Sequence, residues 1–373
     1  MIIPSILFFT YLFTIVIFVI NFDKVKEFIS KNNLAKTNFS IIIPFRNESQ
    51  NLPKLLASIK LLKYQTDLVE FLFIDDNSDD NSVSIIEEFS RNNNFNFQIL
   101  KNARQSYSPK KDAITTALKV STNEWIITTD ADCTLPKNWL KTFDDFIQQN
   151  QCNMIVAPVT YITKKTFLHQ FQLLDFLSLQ AATISGFGLE KPFLCNGANL
   201  AYKKDIFNEV NGFENNNSIA SGDDVFLLEK FLQVDKTKVL YLKSRAAIVK
   251  TSPVNTVYDL INQRVRWASK TVSYNLFFGK LIGLIILLGN SIIVLLPLLV
   301  FLNTLSITTA LSYLLLKLVF DYLLLKKVSF FYNQNITFPS YFCNSILYPF
   351  FTLLVVLKSI FCNYNWKGRT FKK

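Results

Sequence analysis

WIITTDADCTLPKNWL, residues 125–140, decides how the rest of the chain is read. The run Trp125 to Thr129 is short, apolar and partly β-branched, which predicts a buried strand of a parallel sheet. Asp130 and Asp132 then emerge together at the carboxyl end of that strand, the rim where open α/β sheets bind ligands. Two acids one residue apart at such a rim suit Mg²⁺ or Mn²⁺, hard ions that take one or two carboxylates and complete their shell with water and substrate phosphates. A solvated acidic loop is the plainer alternative for a triplet standing alone.

Upstream, strand, loop and helix repeat. FSIIIPFRNESQNLPKLLASI opens with the apolar run Phe39 to Ile43, turns at Pro44, and from about Ser49 carries Leu52, Leu55, Leu56 and Ile59 at helical spacing. A second strand, Val69 to Ile74, runs into IDDNSDDNS, so Asp75 and Asp76 sit at a second strand end before a helix over Val83 to Phe89. Phe97 to Leu100 reads as a third strand and SPKKDAITTALKV as a helix from about Lys110 to Val120. This alternation predicts an α/β fold with a doubly wound, mainly parallel sheet. No G-x-G-x-x-G follows the first strand and no G-x-x-x-x-G-K-[ST] occurs, which disfavours a dehydrogenase or a P-loop enzyme.

Downstream, Met154 to Val159 predicts another strand, and KKTFLHQFQLLDFLSLQAATISGFG a long helix that suits either the core or a membrane surface. FLCNGANLAYKKDIFNEVNGFE is punctuated by glycine and carries Asn196. In SGDDVFLLEKFLQV, Asp223 and Asp224 open a helix with apolar Val225, Leu228, Phe231 and Leu232; interaction with the helix dipole is their plainer use. Within VYDLINQRVRWASKTVSYN, Gln263, Arg266 and Trp267 stand at i, i+3 and i+4 and share a helical face. A guanidinium beside an indole offers a phosphate clamp and a platform for a sugar ring, or else an amphipathic helix lying on the bilayer.

The apolar fraction of 50% against 18% charged residues has a local origin. Residues 2–20 carry no charge and predict a retained membrane anchor; Leu281 to Leu302, Leu305 to Leu325 and Tyr341 to Phe361 are further candidate segments. Lys24, Lys26, Lys31 and Lys36 after the anchor predict a cytoplasmic side there, with the N-terminus outside. Four full crossings would then leave the basic tail WKGRTFKK outside, so the segment around Pro349 is expected to be re-entrant or interfacial. The net charge of +11 is spread along the chain, which favours a cytoplasmic membrane face and anionic substrates over nucleic acid. Cysteines 133, 152, 195, 343 and 362 lack C-x-x-C spacing and read as reduced thiols, and the single His169 cannot build a histidine metal site.

In order along the chain, SIIIPFRNES, IDDNSDDNS, KKDAITTAL, TTDADC, CNGANLAY, GDDVFLL and QRVRW resemble the motifs of membrane-bound family 2 glycosyltransferases. The likeness runs from about Phe39 to Trp267, and WKGR at 366–369 is also typical of such membrane members. The resemblance implies a GT-A, Rossmann-like nucleotide-sugar-binding domain, a nucleotide-diphosphate sugar donor with UDP-sugars favoured, a divalent Mg²⁺ or Mn²⁺ cofactor, and inversion at the anomeric carbon. It implies that Asp76 meets the nucleobase with Asp75 beside it, and that Glu48 lies on the nucleotide side. Asp130 would face ribose and diphosphate, Asp132 would ligate the metal, and Asn196 would lie on the acceptor side. Asp224 would be the general base, next to Asp223 at a position where glutamate is commoner. Lys110, Lys111 and Arg266 would stabilise charge on the diphosphate, with Gln263 in the same motif and Trp267 flooring the acceptor pocket.

The expected enzyme is an inner-membrane hexosyltransferase with a cytoplasmic catalytic domain, adding one sugar to a lipid-linked, glycan or other membrane-proximal acceptor in cell-envelope glycan synthesis. A processive polysaccharide synthase and a non-catalytic nucleotide-sugar scaffold are the alternatives. The expected divisions are an anchor over 1–22, a GT-A domain over 37–253, an interfacial helix over 254–280, membrane segments over 281–363 and a basic tail over 364–373.

Overall fold

The computed structural model describes residues 2–31, 33–217, 219, 221–366 and 369–371. Along the chain, α1 (Ile2–Asn21) precedes β1 (Phe39–Phe45), α2 (Leu52–Lys60), β2 (Val69–Asp75), α3 (Ser82–Arg91), β3 (Asn96–Lys101), α4 (Pro109–Val120), β4 (Trp125–Thr128) and α5 (Trp139–Gln149). Then come β5 (Met154–Val156), β6 (Val159–Tyr161), α6 (Phe167–Gly188), β7 (Leu200–Lys203), α7 (Lys204–Glu209), α8 (Asp223–Asp235), β8 (Val239–Tyr241) and β9 (Val249–Thr251). The last elements are α9 (Val257–Ala268), α10 (Phe277–Phe301), α11 (Ile307–Phe331), α12 (Phe338–Phe361), β10 (Tyr364–Trp366) and β11 (Arg369–Phe371). Lys367, Gly368, Lys372 and Lys373 of the expected basic tail lie outside the described residues.

These elements form two compact units, a sheet unit of Lys26–Ile162 and Cys195–Ser252 and a helical unit of Met1–Val25, Thr163–Leu194 and Pro253–Lys373. The helical unit takes in part of the span 37–253 expected as one domain. Residues 163–194 leave it, because the 22-residue α6 is too apolar for a polar connection and packs with the other apolar helices.

In the sheet unit the described strands order as β3-β2-β1-β4-β7-β5-β8. The four strands from β3 to β4 pair in parallel, while β7 runs antiparallel to both β4 and β5. Ile41, Ile42, Ile43, Phe71, Leu72, Phe73, Ile126 and Ile127 are buried, so the central strands are covered on both faces. The strand expected over Met154 to Val159 breaks at Pro158, which has no N–H for a ladder. Val159, the last residue of that expected strand, opens β6, which pairs with β9 instead. Asn199 fills the gap: its Nδ2 donates to the carbonyls of Pro158 and Ala247 at 2.8 and 2.9 Å, and its Oδ1 accepts from the buried indole of Trp139 at 2.9 Å. The linker after the anchor is fastened too, since Thr37 donates through N and Oγ1 to the buried Asp144, and Ser30 to the buried Asp145.

In the helical unit α1, α10, α11 and α12 are each long and apolar enough to cross a membrane. A Cβ at Gly289 of α10 would lie 2.4 Å from the Tyr11 ring of α1, so only glycine allows that approach. Tyr11 also donates to Asp321 of α11 at 2.6 Å and accepts from Lys317 at 3.0 Å, while Lys317 and Asp321 pair one turn apart. Such ionisable groups in an apolar helix are tolerated because they satisfy one another. α12 is a continuous helix through Pro349. The hydroxyl of Tyr341, near its start, donates to the Leu318 carbonyl in the middle of α11 at 2.6 Å, and Val355, near its end, packs on Val265 of α9.

Candidate active site

Two of the central strands of the sheet unit, β2 and β4, run out into acids where their apolar runs stop. Asp75 closes β2, and its Oδ1 accepts from Ser78 N at 2.9 Å, which makes the turn. Asp76 is buried, and its Oδ1 accepts from Asn102 Nδ2 at 2.8 Å and from Arg104 Nη1 at 3.4 Å. Arg104 in turn donates through Nε to Asp112 at 3.2 Å. Asn102, Arg104 and Asp112 were not singled out in the sequence. Asp112 alone carried a signal, as an acid in the first turn of a helix. Glu48 works locally: its N donates to Ser82 Oγ at 2.8 Å, and its Oε2 accepts from Asn51 Nδ2 at 2.7 Å at the start of α2.

Asp130 and Asp132 follow β4, and Lys110 of α4 donates to Asp130 Oδ1 at 2.6 Å while lying 3.5 Å from Asp223 Oδ2. The ammonium therefore bridges the acids after β4 to the acid pair that opens α8. Burial opposes its charging, yet Asp130 and Asp223, and then Asp224, outweigh that cost and hold Lys110 above the ordinary lysine range. Asp223 thus has a cation beside it, where the sequence offered only the carboxylate of Asp224. Asp224 Oδ2 accepts from Gly197 N at 3.1 Å. A Cβ at Gly197 would stand 3.0 Å from Asp223 Oδ2 and 3.2 Å from Lys110 Nζ, so glycine is what lets this segment lie against the cluster. Thr128 Oγ1 donates to the Gly197 carbonyl at 2.8 Å, and Asn196 Oδ1 accepts from Ala198 N at 2.9 Å, fixing the CNGAN turn.

The expected residues separate into three sets. Lys110, Asp130, Asn196, Asp223 and Asp224 come together, with Asp132 two residues beyond Asp130, while Asp75 and Asp76 stand at the end of β2, which β1 separates from β4. Lys111, expected at the substrate, is 1% exposed, and its ammonium donates to the carbonyls of Asn216 and Ile219. Gln263, Arg266 and Trp267 belong to the helical unit, on α9, whose first turn is capped by Thr256. There Gln263 accepts from Arg264, a residue the sequence reading passed over, and the Arg264 guanidinium stacks 4.2 Å above the Trp267 ring.

Among the described residues no three His, Cys, Asp or Glu side chains gather closely enough to enclose a metal ion by themselves. Asp130 and Asp132 nevertheless fit a hard divalent ion that takes few protein ligands and shares its shell with phosphate oxygens and water. Cys133, adjacent to them, is no competing ligand, because burial first and then the charges of Asp132 and Asp130 push its thiol well up.

Residues 40–210 match the family described as Glycosyl transferase family 2. The chain is 25% identical over 231 residues to a poly-beta-1,6-N-acetyl-D-glucosamine synthase of Staphylococcus epidermidis, covering 61% of this chain and 53% of that one. It is also 25% identical over 189 residues to the glycosyltransferase AglE of Haloferax volcanii, covering 50% of this chain and 58% of that one. The match thus spans little more than half the length of these relatives. Among solved structures, the mannosyltransferase PcManGT from Pyrobaculum calidifontis, in complex with GDP-Man and Mn²⁺, superposes with a TM-score of 0.65 at 13% identity over 96% of this chain and 98% of that one, a likeness of fold.

Proposed function

We propose that this chain, a membrane-bound family 2 glycosyltransferase with the GT-A fold, moves a single sugar from a nucleotide-diphosphate donor to a lipid-linked or membrane-proximal acceptor, with inversion at the anomeric carbon. The observation that carries the reading is the Lys110 bridge between Asp130 and Asp223, which ties a phosphate-side acid to the acid next to the candidate base Asp224. Asp76, oriented by Asn102 and Arg104, holds the nucleobase. Asp130 and Asp132 hold Mg²⁺ or Mn²⁺, which when bound supplies positive charge to the departing diphosphate. Lys110 adds a second, permanent positive charge there. Asp224 takes the proton of the acceptor hydroxyl as that oxygen attacks in line with the leaving group, and the Gly197 N–H holds the carboxylate in place. Gln263, Arg266 and Trp267 are proposed to serve the leaving group and the acceptor, and the sheet unit to face the cytoplasm at the inner membrane.

A thermal-shift panel of UDP-, GDP- and dTDP-sugars with Mn²⁺ or Mg²⁺ on detergent-solubilised protein selects the donor, because a ligand of the native state raises its unfolding temperature. With that donor, Asp224→Asn and Asp132→Asn are each expected to abolish turnover while the protein stays in the membrane fraction. An active Asp224→Asn enzyme would sink the base assignment. The polymer named in the Staphylococcus epidermidis relative supports a second reading, a processive synthase. Radiolabelled donor separates the two: one added sugar supports single transfer, and a ladder of long product supports processive synthesis.

A further inference from the structure

Three consecutive residues in the first turn of α4 reach three different parts of the sheet unit. Lys110 holds Asp130 and lies against Asp223, and Asp112 accepts from Arg104 Nε, Gln105 N and Ser106 N at 3.0–3.2 Å. Lys111, between them, donates to the main-chain carbonyls of Asn216 at 2.6 Å and Ile219 at 3.1 Å, with its Nζ 4.8 Å from the centre of the Phe226 ring. A buried ammonium engaged in this way is a charge-assisted clamp on the chain. The clamped segment leads into Gly222, whose φ of 83° turns the backbone into α8 and so delivers Asp223 and Asp224. Phe226 lies in the first turn of that same helix, its N bonded to the Gly222 carbonyl at 3.0 Å. Tyr107 N adds a bond to the Asn217 carbonyl at 3.2 Å, so the approach to α4 grips the same stretch.

We propose that Lys111 is a positioning residue for the acid pair: by holding Asn216 and Ile219 it fixes where Asp223 and Asp224 stand, without itself meeting substrate. The inference rests on the reading of Asp224 as the base. Its chemistry predicts a split in the kinetics, because a base displaced by a fraction of an ångström costs rate while the donor site around Asp76 is left as it was.

The test uses the full-length protein with the donor selected by the thermal-shift panel, reading release of nucleoside diphosphate, donor KM, and hydrogen exchange of the amides of residues 216–222. Lys111→Met is expected to lower kcat by about 100-fold, to leave donor KM unchanged, and to speed exchange in that segment. Lys111→Gln, shorter yet still a donor, is expected to fall between, and serves as the test should the methionine variant fail to fold. Wild-type kcat in either variant overturns the inference, as does a raised donor KM with kcat retained, which would make Lys111 a direct ligand. Asp224→Asn runs alongside. If it is inactive while Lys111→Met is not, only the positioning role falls. If it is active, the base reading falls, and the exchange data still decide whether Lys111 holds the segment.

Discussion

Cys133 stands one residue from Asp132 and is 1% exposed, which separates nearness to the site from reactivity. Cys152 is likewise pushed up, by burial, to about 12. Maleimide at pH 7 is therefore expected to modify Cys362, exposed just past the end of α12, and to spare Cys133 and Cys152, with peptide mass mapping as the readout. Asp80 shows the opposite balance: burial resists its ionisation, but hydrogen bonds from Ser82 and Ser49 outweigh that and hold its pKa at about 2. A depressed folded-state value means its contribution to stability is present above the unfolded value near 4 and is lost as pH falls through about 2. The unfolding temperature of Asp80→Asn should accordingly fall less than that of the wild type over that acid window. At this scale the paired acids were legible, because Asp75-Asp76, Asp130/Asp132 and Asp223-Asp224 come as local patterns at strand or helix ends. Arg104 and Arg264 were not, because what distinguishes each is a partner distant in sequence or a neighbour met only through the fold.

α9 and α6 are joined by a buried ion pair, Arg264 Nε to Asp175 Oδ2 at 2.5 Å, with both side chains under 10% exposed. The ring of Phe176, one residue on, lies 6.2 Å from that of Trp267, and Gln172 exchanges two hydrogen bonds with the main chain of Val254 just ahead of α9. Removing one member of a buried pair strands the other charge, so Asp175→Ala should destabilise the protein by about 3–5 kcal/mol. The exchanged pair Asp175→Arg with Arg264→Asp should recover part of that loss in thermal unfolding, and a strictly additive double variant would show that the two do not couple. The run of strands and amphipathic helices through β4 was readable from periodicity. β7 was not: CNGANLAY has too few alternating positions, and the strand is held by its antiparallel neighbours β4 and β5. The helix α6 could be seen, but its allegiance could not, since an apolar helix reads alike in a soluble core and beside membrane helices.

At the scale of the molecule, hydropathy placed four apolar helices but left the number of crossings open. Tyr341 meets Leu318 more than three turns before α11 ends at Phe331, about 20 Å back at 1.5 Å per residue. α12 therefore starts beside the middle of α11 and ends beside α9. Cys362, just past α12, is accordingly predicted to lie on the side of the membrane occupied by α9. A membrane-impermeant maleimide should label it in inverted vesicles and not in intact spheroplasts; the reverse would make α12 a full crossing. Gly289 and the Tyr11 ring have a consequence during synthesis. At roughly 5–20 residues per second, Gly289 leaves the ribosome some tens of seconds after Tyr11. Through that interval the face of α1 that packs on α10 and α11 is without either helix, and the Tyr11 hydroxyl is without Lys317 and Asp321. The half-made chain, before any chemistry exists, is where a change at Tyr11 would first be felt.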